Sequence, residues 1–155
     1  MAALIVIDSG ILISSIFIEL LTPQAKAVLG YWQQQNIQLI APTLFRYEIA
    51  AVARKAVFQK RVSPEEGLRA RDFMLTYPVQ TYIDEALLKR AYDLATHYKR
   101  PTAYDSQYLA LAERFKCDFW TADERLYNAV SHDLKWINWL GNFTSPPSVP
   151  PSSRT

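Results

Sequence analysis

Two kinds of segment alternate along the chain. Short, mostly apolar runs recur at residues 3–7 (ALIVI), 37–41 (IQLIA), 79–83 (VQTYI), 117–120 (CDFW) and 134–137 (LKWI). Runs of this length suit strands buried on both faces, as in a parallel sheet. Between them lie longer stretches with apolar residues at helical spacing. Residues 11–21 are apolar and predict a short helix. Pro23 opens a helix to about Gln35, and Thr43 is placed to cap another to about Lys60. Ser63-Pro64-Glu65-Glu66 reads as a capping box with proline in the first turn, its helix ending before Tyr77-Pro78. Asp84 is placed to cap a helix whose stripe is Leu87, Leu88, Ala91, Leu94, Ala95 and Tyr98. Pro101-Thr102 starts a helix to about Phe115, and Thr121 with Glu124 forms a second capping box after the fourth run. Strands alternating with helices predict a three-layer α/β/α domain around a parallel sheet of four to five strands. Folds of this kind place their sites at the carboxyl ends of the strands.

The chain has 155 residues, enough for one domain with a substantial core. Residues 1–142 are read as that domain. Residues 143–155 hold four of the nine prolines and several serines (PPSVPPSSRT), the composition of a disordered tail. There are 17 basic and 15 acidic residues, so any basic surface is local rather than a tract. Cys117 is the single cysteine, which excludes an intrachain disulfide and a zinc knuckle. No Lys or Arg precedes the apolar N-terminal run and Asp8 interrupts it, which argues against a signal peptide or membrane span. The expectation is a cytoplasmic protein with no membrane association.

Four acids stand out by position. Asp8 follows the first strand, where an Asp ordinarily caps or turns. Glu48 lies four residues after Leu44 and four before Val52, on the apolar face of its helix. A buried carboxylate there needs either an ion pair or a cation. Asp105 suits a first helical turn but shares its face with Tyr108, Ala112 and Phe115. Asp123 is not needed for capping if Thr121 and Glu124 do that work. Each acid has an ordinary explanation, yet in a parallel sheet all four can converge at one edge. Gathered carboxylates repel one another and call for a divalent cation. Oxygen-only ligands favour Mg²⁺ or Mn²⁺ over zinc. Such ions activate water and stabilise the leaving oxygen of a phosphodiester, chemistry that needs no histidine. His97 and His132 are read as surface residues.

The segments IVIDSGIL, LFRYEIAAV, AYDSQYLALAE and FWTADERL, in this order and spacing, resemble the PIN domain, and more narrowly the toxin nucleases of VapBC toxin–antitoxin pairs. The resemblance spans residue 3 to about 137. It implies a helix-flanked parallel sheet and an Mg²⁺ (or Mn²⁺) site formed by Asp8, Glu48, Asp105 and Asp123. It also implies endoribonuclease activity on single-stranded RNA, a homodimer, and inhibition by a cognate antitoxin. Ser9 and Thr121 match small hydroxyl positions that line the pocket. Gly10 departs from the pattern, standing where relatives more often carry a side chain. Arg46, Arg54, Lys55, Lys99 and Arg100 flank the motifs and are candidates for RNA-phosphate contacts. One alternative is a PIN-like RNA-binding or regulatory module without turnover. An aspartyl-phosphate phosphatase built on Asp8 is disfavoured, because those enzymes commonly need a second Asp where Gly10 stands.

Overall fold

A computed structural model describes residues 3–144. Five strands, β1 (Leu4–Ile7), β2 (Gln38–Pro42), β3 (Val79–Tyr82), β4 (Asp118–Thr121) and β5 (Ile137–Trp139), form one parallel sheet in the order β3-β2-β1-β4-β5. Seven α-helices flank it: α1 (Ser9–Ile16), α2 (Thr22–Gln34), α3 (Leu44–Phe58), α4 (Pro64–Thr76), α5 (Glu85–His97), α6 (Tyr104–Phe115) and α7 (Glu124–Val130). The three-layer expectation holds. Its continuous core includes Val6, Ile7, Ile11, Leu12, Ile40, Phe45, Leu109 and Phe119, all with 2% exposure or less. Removing that much apolar area from water is the main favourable contribution to folding.

β1 is the central strand, paired with β2 on one side and β4 on the other. Strand order reverses there, which opens a crevice at the carboxyl ends of the strands. Asp8 is the first residue beyond β1, and its N–H still donates to Trp120 O at 3.1 Å.

Several local expectations are corrected. The first helix starts at Ser9, where Asp8 caps it, and stops at Ile16, where Phe17 turns extended. Residues 17–21 connect rather than coil, leaving Ile18 and Leu20 more than 90% exposed. Thr43 holds the cap position of α3 without a side-chain bond. Ala103, not Thr102, precedes α6. Asp123, not Thr121, caps α7, its Oδ1 accepting from Leu126 N at 3.1 Å. Thr121 is excluded from that role because it is still in β4 and its hydroxyl is committed elsewhere. Leu88 is exposed while Leu87 is buried, so the α5 stripe is narrower than its sequence suggests. The fifth strand starts three residues later and ends two residues later than expected. The capping box of α4 forms as read, with Ser63 and Glu66 bonding reciprocally.

Phe143, assigned by composition to the tail, instead packs on Tyr31 and Trp120, with ring centroids 6.3 and 6.0 Å away. The proline-rich remainder of the tail, 145–155, lies outside the described residues.

Candidate active site

The four acids come from four places in the chain and line one cavity of about 700 Å³ at the carboxyl edge of the sheet. Asp8 stands at its floor. Its carboxylate accepts from the Thr121 hydroxyl, from Ala122 N at 3.2 Å and from Ile11 N at 3.2 Å. Burial pushes its pKa up to about 7 against the opposing effect of these donors, and Glu48 pushes the same way. Thr121 is a two-way link, since its Oγ1 also accepts from Asp123 N at 2.9 Å.

Glu48 reaches the cavity from α3. Its Oε1 accepts from the Tyr108 hydroxyl at 2.5 Å. Burial raises its pKa, Tyr108 and Ser9 lower it by hydrogen bonding, and Asp105 raises it again by charge repulsion. Asp105, in the first turn of α6, is raised by burial and by Asp123 and lowered by Arg100. Repulsion therefore links the acids in a chain, from Asp8 to Glu48 to Asp105 to Asp123. A shared repulsion of this kind is what a bound cation relieves.

Arg100 is the one cation paired with any of these four among the described residues, at 3.4 Å from Asp105 Oδ2. Lys99 places it there. With φ at 55°, Lys99 turns the chain left-handed after α5, and Arg100 N closes the helix on Ala95 O at 2.8 Å. The Arg100 Nε is buried with no hydrogen-bond partner among the described residues. The other basic candidates are not brought to the cavity. Arg46 is exposed and donates to Leu75 O, and Arg54 lies over the Phe58 ring on α3. Lys55 and Lys99 are exposed.

Among the described residues, no three His, Cys, Asp or Glu side chains form a ready coordination shell. The physical reason lies in the hydrogen bonds above: each acid other than Glu48 has turned at least one oxygen to a backbone N–H or to Arg100. The donor set nevertheless fits a hard divalent cation, being oxygen-only, rich in raised carboxylates and short of compensating positive charge.

Sequence reasoning overlooked several lining residues. Glu19 and Glu124 add two further acids to the rim. Tyr108 was seen only as a neighbour of Asp105 on a helix face, although a phenol three residues from an inward acid was a usable signal. Trp139 lines the cavity as well, and misplacing the fifth strand concealed it. Gly10 lies against the site: a Cβ there would sit 3.0 Å from Ala122 Cβ and 3.1 Å from Asp8 Oδ1. Its missing side chain leaves room for Asp8 to reach the Ala122 N–H.

Comparison with known proteins agrees with this geometry. The sequence model of the PIN domain matches residues 5–131. Ribonuclease VapC12 of Mycobacterium tuberculosis is 30% identical over 133 residues, which cover 85% of this chain and 96% of that protein. Ribonuclease VapC9 of the same organism is 33% identical over 89 residues, 57% of this chain and 68% of that one. The crystal structure of PAE2754 from Pyrobaculum aerophilum superposes with a TM-score of 0.66 at 18% identity, over 91% of this chain and 93% of that one, and shares the fold. With the family model matching most of the described chain and a relative aligned nearly end to end, the chain belongs to the PIN-domain family and is VapC-like within it.

Proposed function

We propose that the protein is a divalent-metal-dependent endoribonuclease, the toxin of a VapBC-type pair, with Asp8, Glu48, Asp105 and Asp123 as its metal-binding carboxylates. The observation that carries this reading is the convergence of four acids, from 8 to 123 in the sequence, on one cavity with one paired cation. When bound, Mg²⁺ or Mn²⁺ supplies charge neutralisation and an acidified water for attack on phosphorus. The chain's own residues prepare the site. Thr121, Ala122 and Ile11 fix the Asp8 carboxylate, so that little reorganisation is left for the moment of reaction. Tyr108 and Ser9 hold Glu48. Arg100 steadies Asp105 and sets a guanidinium beside the place a phosphate would occupy.

RNA is the proposed substrate, and a cognate antitoxin that reaches the acidic cavity with a basic side chain is the proposed inhibitor. A homodimer and a cytoplasmic location complete the reading. No helix among the described residues is long and apolar enough to cross a membrane. The test is direct. The purified protein should cut RNA in single-stranded loops with Mg²⁺ or Mn²⁺ and stop in EDTA, and Asp105→Asn should abolish cutting while still melting cooperatively. Undiminished cutting in EDTA would end the metal mechanism.

A further inference from the structure

Besides its acids, the cavity is lined by the apolar side chains of Ile13, Leu20, Leu21, Val52, Leu126 and Trp139. Nothing in the hydrolysis of a phosphodiester uses these side chains. Strand register places one of them relative to Asp8. Asp8 continues β1 beside β4, and Thr121 pairs directly with Trp139 across β4 and β5. Directly paired residues in a sheet point to the same face, about 4.8 Å apart. Asp8, Thr121 and Trp139 therefore form a row along the carboxyl edge. The Thr121 hydroxyl turns one way to Asp8, and the indole stands on its other side.

The indole is held firmly. A Cβ at Gly141 would lie within 2.3 Å of the Trp139 six-membered ring, so the ring rests against backbone that only glycine leaves open. Leu20, another lining residue, is 91% exposed in the connection after α1, an apolar side chain with no packing role of its own. A nucleotide whose phosphate lies at the carboxylates puts its base one sugar away, and Trp139 is the aromatic ring of the cavity lining that stands two strands along the carboxyl edge from Asp8.

We infer that the apolar lining around Trp139 is a nucleobase subsite, in which Trp139 stacks on the base next to the scissile phosphate and Leu20 adds apolar cover. This rests on the ribonuclease reading. Unstacked bases of single-stranded RNA are commonly taken up by aromatic side chains in this way, with little dependence on base identity.

The test couples an abasic substrate to the tryptophan. The cut bond is first mapped on a mixed-sequence single-stranded RNA with Mg²⁺, and the nucleotides on either side of it are then made abasic one at a time. In the parent, one of the two abasic changes should lower kcat/KM about tenfold, mainly through KM, as expected for a lost base–aromatic stack. In Trp139→Leu the same change should cost less than about twofold, and Trp139→Phe should recover most of the difference. Leu20→Ser, on an exposed connection, gives a second arm should Trp139→Leu fold poorly, and it should also reduce the abasic penalty. An abasic penalty equal in the parent and in these variants overturns the subsite while leaving the nuclease intact. No metal-dependent cutting by the parent overturns both.

Discussion

The Tyr108 phenol donates to Glu48 at 2.5 Å across 60 residues of sequence, and it ties α6 to α3 beneath the cavity. Tyr108 is 2% exposed and its ring stacks on Phe119 at 5.6 Å. Tyr108→Phe keeps that packing and removes only the donor. The loss should cost about 1–3 kcal/mol of stability near neutral pH, the usual penalty for a buried charged group left short of a partner. Urea unfolding at pH 8 and pH 4 checks this. The deficit should be larger at pH 8, where more of Glu48 is charged than at pH 4, and an equal deficit at both would assign it to packing alone.

Metal-free stability should depend on pH with a definite sign. The folded pKa of Asp8 is raised to about 7, and those of Glu48 and Asp105 are raised as well, each mainly by burial. Raised acids stabilise the fold below their unfolded values and withdraw that stability as pH climbs through the folded ones. In EDTA, the midpoint should therefore fall between pH about 4 and about 7 and level off above. Asp84, held down to about 2 by Arg114, acts in a separate and lower window, where stability rises with pH. Glu48→Gln should flatten the fall and stabilise the metal-free protein at pH 8 by about 1 kcal/mol or more. Asp105→Asn should gain less, because it also gives up the Arg100 pair. Mg²⁺ should raise the parent's midpoint by mass action and the amide variants' by less. Thermal melts across pH, with and without Mg²⁺, read all of these. A parent curve flat from pH 4 to 7 would contradict the burial account.

Gly10 offers a contrast between helix propensity and space. Alanine in a helix usually gains about 1 kcal/mol over glycine. Here its Cβ would press on Ala122 and on the Asp8 carboxylate. Gly10→Ala should therefore forfeit that gain and weaken Mn²⁺ binding several-fold by calorimetry. A stabilised variant with unchanged Mn²⁺ affinity would mean that Asp8 has slack to move.

The end of the domain can be located by truncation. Deleting residues 145–155 should leave the melting temperature within about a degree. Deleting from Phe143 onward removes the ring packed on Tyr31 and Trp120 and should cost roughly 1 kcal/mol or more. Equal melting of the two truncations would return Phe143 to the tail.

The sheet was legible because strand runs such as ALIVI are short, apolar and bounded by turn residues, too short for a helix between longer helical stretches. Glu48 was legible because a carboxylate on an apolar helix face needs an explanation, and its neighbours in the cavity supply one. The caps were harder. Thr121 and Asp123 are both good caps two residues apart, and the choice between them turned on a hydrogen bond to Asp8 that sequence spacing does not encode. The pairing of Arg100 with Asp105 was not legible, because it depends on a left-handed Lys99, a conformation lysine seldom announces. Trp139 was missed because a three-residue edge strand carries too little periodicity to fix its register.

The bond from Thr121 to Asp8 joins residues 113 positions apart. During synthesis, an emerging chain holds Asp8 well before it has either the β4 strand that flanks it or the hydroxyl that anchors it. Every partial product that stops short of Thr121 thus lacks the completed cavity. A nuclease that acts on RNA would be made beside ribosomes and messages in a harmless form, and it would become competent only when β4 pairs with β1.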